Sequence, residues 1–240
     1  MSATKVLPWD KILPDQPFNR ELFDESSGDF YRSLYKTIAA VSGIKSPAEE
    51  FKLDLTEKFT IEEMASSPVS LVFLQLLIAL GGARRILEIG TFIGVSAMYM
   101  ARALPAEGQV VTIEKFDHFA EIARRNFAQN ELAQKIRLIN GDAFVEMAKL
   151  PRTEPFDLVF IDGNKERYAD YFEMAQPLVR IGGMVIVDDA IFHGDALNAA
   201  PRGAKGAGVR RMLDVAMSVE NYRRALLPIC NGMLLMLRQR

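Results

Sequence analysis

From Arg85 onward, short apolar runs alternate with segments of helical spacing. The runs at 85–89, 109–114, 136–140, 156–162 and 183–188 read as strands. The stretches at 94–103, 117–129, about 143–149 and 166–179 read as helices between them. The strands are apolar at nearly every position, as strands buried on both faces of a parallel sheet are. Such alternation predicts an α/β fold with a Rossmann-like, doubly wound and mostly parallel sheet. The tail breaks the pattern: Tyr222 to Ile229 and Met233 to Arg238 are strand-like and flank Cys230-Asn231-Gly232. Asn-Gly is a hairpin signal, so an antiparallel C-terminal hairpin is expected to close the sheet.

Before Arg85 the pattern predicts N-terminal helices. Asp29 to Val41 carries Phe30, Leu34, Ile38 and Val41 at helical spacing, and Ser46-Pro47 reads as a polar linker. Thr60 to Met64 and Pro68 to Leu80 read as further helix, with Pro68 at a first-turn position. Residues 1 to about 28, with Pro8, Pro14 and Pro17, look irregular. Asn198 to Gly208, rich in Ala and Gly and carrying Arg202 and Lys205, reads as a mobile loop. The expected organisation is a helical extension over 1–60, serving as a lid or dimer arm, and a main domain over 61–240.

Composition narrows the function classes. Hydrophobic residues make up 49% of the chain, enough for a core, and 29 basic against 31 acidic residues give a net charge of -2. That balance argues against nucleic acid as a partner, which needs concentrated positive charge. Cys230 is the single cysteine and cannot form an internal disulfide, which points to a reducing compartment. No basic-then-apolar leader pattern opens the chain. The apolar stretch Val69 to Leu80 holds Ser70 and Gln75 and is too short to span a bilayer. A soluble, cytoplasmic protein is expected.

Candidate chemistry gathers at the ends of the expected strands. The first ends at Glu88-Ile89 and runs into Gly90-Thr91-Phe92-Ile93-Gly94, a turn into a helix where backbone approaches a ligand closely. The second ends at Glu114, an acid suited to a ribose diol. The third runs into Gly141-Asp142-Ala143, where an acid suits an exocyclic adenine amine. A dinucleotide fingerprint would need a second glycine where Phe92 stands, and no Gly-Lys-Ser/Thr follows, so no phosphate cradle is present. Acids at three strand tips without such a cradle suit S-adenosylmethionine (SAM), a cationic nucleoside without phosphate.

A second acidic set follows at the next tips: Asp162 after the fourth strand, Asp188 and Asp189 after the fifth. Adjacent carboxylates repel unless a cation lies between them, and hard oxygen donors select Mg²⁺, Mn²⁺ or Ca²⁺. Loop-capping aspartates are the alternative. Lys165, three residues after Asp162, is a candidate general base if its pKa is lowered, or else a surface lysine that opens a helix.

The chain resembles the cation-dependent class I O-methyltransferases, the group of catechol and caffeoyl-CoA O-methyltransferases. The resemblance runs from about Ile61 to the C-terminus and rests on Leu87-Glu88-Ile89-Gly90-Thr91-Phe92 with Gly94 and Ser96, Ile113-Glu114, Gly141-Asp142-Ala143, and Phe160-Ile161-Asp162 with Lys165 and Tyr168. It also includes Val187-Asp188 with His193-Gly194. It implies a seven-stranded sheet, SAM as methyl donor, a divalent cation (Mg²⁺ first, Mn²⁺ or Ca²⁺ next), a small aromatic acceptor with vicinal oxygens, and a homodimer. In this reading Glu88 and the Gly90 region (Gly90, Thr91, Phe92) meet the methionine part of the donor, and Ser96 and the backbone near Met64 also touch the donor. Glu114 lies at the ribose and Asp142 and Ala143 at the adenine, Lys115 and Gly141 are further donor contacts, and Asp162 belongs to both the donor and the metal set. Asp162, Asp188 and Asp189 would hold the cation, and Lys165 with Asp162 would carry the proton chemistry. The family usually has Asn where Asp189 stands, and Asn231-Gly232 replaces a frequent Asp-Gly. The extra negative charge at Asp189 is expected to retain a cation more firmly. A metal-independent SAM methyltransferase acting on another atom, and a SAM-binding protein without turnover, are the alternatives.

Overall fold

In the computed structural model, residues 28–56 and 65–240 are described. The expected helix over Thr60 to Met64, and Met64 itself, lie outside them. The chain divides into two units, Met1–Gly43 and Ile44–Arg240. The first contains helix α1 (Gly28–Val41).

In the second unit, α2 (Pro47–Glu50) and α3 (Pro68–Gly81) precede a run of alternating elements. These are β1 (Arg85–Ile89), α4 (Val95–Ala103), β2 (Gln109–Glu114), α5 (Asp117–Gln129), β3 (Ile136–Asn140), α6 (Ala143–Ala148), β4 (Phe156–Ile161), α7 (Tyr168–Ala175) and β5 (Val179–Val187). Helix α8 (Ala204–Ser218) and the hairpin β6 (Tyr222–Leu227) and β7 (Met233–Arg238) complete the fold. The seven strands lie in the order β3-β2-β1-β4-β5-β7-β6. Strands β1 to β5 pair in parallel, and β7 pairs antiparallel with both β5 and β6. The Rossmann-like seven-stranded sheet with its C-terminal hairpin is therefore as expected.

The strands are apolar on both faces because each face is covered. Leu87, Ile89, Val159, Ile161, Val185 and Val187 pack into one cluster, with Phe172 of α7 and Met212 of α8. Ile86, Val110, Leu158, Phe160 and Ile186 pack into the other, with Leu71 and Ile78 of α3 and Phe127 of α5. Alternate residues of each strand thus serve opposite layers. Among the described residues, no helix is long and apolar enough to cross a membrane.

Four expectations change. The segment around Ser46-Pro47 is not a linker but the start of α2, where Ser46 and Glu49 form a reciprocal cap. Strand β5 begins at Val179, four residues before the expected start at 183, with Gly182 and Gly183 inside it beside a register shift in its pairing with β4. Helix α7 is shorter than expected: a 3₁₀ turn at Lys165–Arg167 precedes it. The Ala/Gly-rich segment is not a loop throughout, since α8 starts at Ala204. Asp195 ties down the remainder by accepting from the backbone N–H groups of Arg202 (2.8 Å) and Gly203 (3.3 Å).

Candidate active site

Strand order reverses between β1 and β4, and crevices of open α/β sheets lie at the carboxyl ends of strands at such a switch. The tips are stitched along one edge. Gly141 N–H donates to Glu114 O (2.8 Å), Gly90 to Ile113 O (3.1 Å), Asp162 to Ile89 O (3.0 Å) and Asp188 to Ile161 O (3.1 Å). The acids predicted at the strand tips therefore share one rim.

On the β1–β2 side, Glu88 is fully buried. Ser96 Oγ donates to its Oε1 and Thr112 Oγ1 to its Oε2, both at 2.5 Å. Thr112 is the register partner of Glu88 across the β1–β2 pair. Burial pushes the Glu88 carboxyl up to about 8, against the pull of those two hydroxyls and with help from the charges of Asp162 and Glu114. At neutral pH such a group is a neutral carboxylic acid, and a positive charge brought beside it would favour its ionisation. The turn after it is left-handed at Gly90 (φ 94°), Phe92 (φ 52°) and Gly94 (φ 91°). A Cβ at Gly90 would collide with the carbonyl of Asp162, so glycine lets β1 and β4 touch here.

Glu114 grips this turn rather than standing free: Oε2 accepts from Thr91 N–H (3.2 Å) and Phe92 N–H (2.8 Å), and Oε1 from Phe116 N–H (2.9 Å). Asp142 is the N-cap of α6, accepting from Phe144 N–H at 3.0 Å, and its other oxygen pairs with Lys115 Nζ at 3.1 Å. Gly141 and Ala143 flank it. These cofactor candidates are gathered on one edge, with part of their hydrogen-bonding capacity already used by the fold.

On the β4–β5 side, Asp162 and Asp189 converge on Lys165. Its Nζ lies 2.8 Å from Asp162 Oδ1 and 2.8 Å from Asp189 Oδ2. Burial pulls the Lys165 ammonium down, but Asp162, the Tyr168 phenol and Asp189 outweigh it and hold its pKa well above the ordinary lysine value. The lowered pKa expected of a general base is therefore not what this arrangement gives, because two carboxylates face the amine. Asp188 is 4% exposed and makes no contact with Lys165 among these ion pairs. Burial first, then the charges of Asp162 and Asp189, push its carboxyl up to about 7. Among the described residues, no three His, Cys, Asp or Glu side chains form a ready-made metal cage.

A cavity of about 450 Å³ opens between this acidic set and the start of α3. Asp162, Asp188 and Asp189 form one wall with His193, Cys230 and Asn231, and Ser66, Ser67 and Ser70 stand on another. Ser66 Oγ donates to Asp162 Oδ2 at 3.0 Å. Ser70 is 1% exposed, and its Oγ has no hydrogen-bond partner among the described residues. A buried hydroxyl left unpaired beside a cavity marks a place for a ligand atom or water. Sequence reasoning missed Ser66, Ser70, Thr112 and Asn231. The Ser-Ser-Pro helix start was legible, but its position opposite the acids depends on how α3 folds back on the sheet.

The chain matches the O-methyltransferase family model over residues 45–239. It is 35% identical to a catechol O-methyltransferase of Mycobacterium tuberculosis over 169 residues, 70% of this chain and 76% of that protein. A catechol O-methyltransferase of Niastella koreensis is 36% identical over 147 residues, 60% of this chain and 66% of the relative, just under two thirds of its length. Among solved structures, the O-methyltransferase TomG of Streptomyces achromogenes, involved in tomaymycin synthesis and crystallised with SAM, superposes with a TM-score of 0.71 at 31% identity. That match covers 80% of this chain and 94% of TomG.

Proposed function

The chain belongs to the O-methyltransferase family, and from that premise we propose that it transfers a methyl group from SAM to a hydroxyl of a small catechol-like acceptor, assisted by a divalent cation. The observation that carries the proposal is the position of Asp162. It lies against the Gly90 turn on the donor side and forms a wall of the cavity on the other. A methyl group held at the first site thus faces an acceptor in the second.

In this reading buried Glu88, with Ser96 and the Gly90-Thr91-Phe92 turn, receives the charged methionine part of the donor. Glu114 and Lys115 lie along the ribose, and Gly141, Asp142 and Ala143 along the adenine. Met64, also a candidate donor contact, is outside the described residues. The acceptor oxygen attacks the methyl carbon, the C–S bond breaks, and S-adenosylhomocysteine leaves. The hydroxyl proton passes to the Asp162 carboxylate, while the Lys165 ammonium, already protonated, holds that carboxylate in place and offsets the negative charge on the oxygen. Holding both reactants in line is itself a large part of such catalysis.

The residues fit a divalent cation. Lys165 Nζ is a stand-in positive charge between Asp162 and Asp189, and the donors are all hard oxygens. Asp162, Asp188 and Asp189 would hold Mg²⁺, Mn²⁺ or Ca²⁺. Bound there, the ion would supply Lewis acidity that lowers the pKa of a hydroxyl. The same stand-in supports a second reading, metal-independent transfer, because Lys165 already offsets two of the three carboxylates. A homodimer in the cytoplasm completes the proposal.

The test is formation of S-adenosylhomocysteine from SAM and a catechol panel, with Mg²⁺, Mn²⁺ or Ca²⁺ added, and with EDTA. Turnover abolished by EDTA and restored by a cation is the expected result. Turnover indifferent to EDTA selects the metal-independent reading. SAM binding without turnover on any catechol overturns the acceptor class.

A further inference from the structure

Asn231, in the connection between β6 and β7, lies across from the Asp188-Asp189 turn. Its amide makes two directed bonds: Nδ2 donates to Asp189 Oδ1 at 2.9 Å, and Oδ1 accepts from His193 N–H at 2.5 Å. Its carbonyl accepts from Ile191 N–H (2.8 Å) and Phe192 N–H (3.2 Å), and Gly232 O accepts from Ala190 N–H (2.9 Å). Residues 190–193 are thus wrapped around Asn231.

The wrapped segment is held in uncommon backbone. Asp189 (φ 53°), Phe192 (φ 46°) and His193 (φ 53°) are left-handed, as is Cys230 (φ 52°) on the hairpin side. Non-glycine residues stay in that region only where surrounding bonds over-determine them. A Cβ at Gly232 would strike Ile191, so the hairpin and the segment meet at backbone distance.

This arrangement divides the two oxygens of Asp189. Oδ1 is taken by the Asn231 amide, while Oδ2 faces Lys165 Nζ at 2.8 Å, the same ammonium that sits on Asp162 Oδ1. Without the amide, the Asp189 side chain has no partner that distinguishes its two oxygens among these contacts. We propose that Asn231 is a positioning residue: it fixes the Asp189 carboxylate so that Oδ2 faces the cation seat shared with Asp162. The proposal rests on the divalent-cation reading above. It assigns to the C-terminal hairpin, which contributes none of the three aspartates, a part in building that seat.

The test is Mn²⁺ affinity of the full chain, without SAM or acceptor, followed by the loss of the free Mn²⁺ paramagnetic signal. Four proteins form a cycle: wild type, Asn231→Ala, Asp189→Ala and the double variant. Removing a group that orients a ligand weakens metal affinity by about tenfold, which is the loss expected for Asn231→Ala. In the Asp189→Ala background the same change should have no further effect, because the residue acts through Asp189. An unchanged Kd for Asn231→Ala overturns the proposal. So does an equal loss in both backgrounds, which assigns Asn231 to the loop in general. Absence of Mn²⁺ binding by wild type overturns the cation reading and the proposal with it, an outcome distinct from the other two. Thermal midpoints identify any variant that fails to fold, and Asn231→Ser, too short to reach Asp189 but still polar toward the segment, repeats the cycle in that case.

Discussion

Lys165 stands between two carboxylates, those of Asp162 and Asp189, and is 17% exposed at its side chain, against 15% for Asp162. Removing one partner of so enclosed a set leaves like charges facing one another, which costs ~3–5 kcal/mol. Lys165→Met should therefore lower the thermal midpoint of the metal-free protein, and millimolar Mn²⁺ should recover more stability in the variant than it adds to wild type. Recovery no greater than in wild type would mean that the carboxylates are not a cation site. Ser70 makes the opposite case. Its buried hydroxyl has no partner among the described residues, so Ser70→Ala should leave the unliganded protein as stable as wild type or slightly more so. If the hydroxyl serves the acceptor, the variant raises KM for the catechols that are turned over and leaves SAM affinity alone. An unchanged KM would return Ser70 to a packing role. Neither behaviour was legible in the sequence: Lys165 was visible as a residue near Asp162, but its bond to Asp189 depends on how β5 lies beside β4.

Among the elements, the strands were the legible part. The inner parallel strands β1, β2 and β4 are buried along most of their length, so their apolar runs stand out, and β1, β2, β3 and β7 fall where the pattern puts them. Helix α8 was missed because Gly203, Gly206 and Gly208 look like loop composition. The structure shows why two of these glycines are inside a helix. A Cβ at Gly206 would enter the Asp195 carboxylate, and one at Gly208 would enter the backbone of Lys165 and Glu166. The glycines read as flexibility are instead close approach, and Gly208 presses α8 onto the turn that carries Lys165. Gly208→Ala should cost ~1–3 kcal/mol, as overpacking does, despite alanine's better helix propensity. It should also lower kcat on catechol acceptors while leaving SAM affinity within error, since Gly208 presses α8 directly on the Lys165 turn. A variant with wild-type kcat would show that the turn tolerates displacement.

At the scale of the whole molecule, the net charge of -2 hides a local concentration: among the described residues the buried acids are Glu88, Glu114 and Asp188, all at the strand tips. Glu88 has the larger consequence for stability. Its ordinary value of 4.5 is raised to about 8 in the fold, so between those limits the native state holds a proton that the unfolded chain has released. Its contribution is complete below pH 4.5 and is lost as the pH rises through 8. Glu88→Gln stays neutral throughout, and its amide can still bond the Ser96 and Thr112 hydroxyls. Relative to that variant, wild type should lose ~1.4 kcal/mol of unfolding free energy per pH unit inside the window. Asp188 titrates in both proteins, so subtraction removes it. Denaturant unfolding at several pH values supplies the measurement, and a flat difference would mean that Glu88 ionises like an exposed acid. The same proton connects stability to the proposed donor site. If Glu88 meets the cationic part of SAM, the ligand favours the carboxylate, and binding at neutral pH must expel the proton to solvent. Calorimetric titrations in buffers of different ionisation enthalpy should then show proton release for wild type and none for Glu88→Gln. Equal buffer dependence in the two proteins would assign the released proton to another group and leave Glu88 as a buried structural acid.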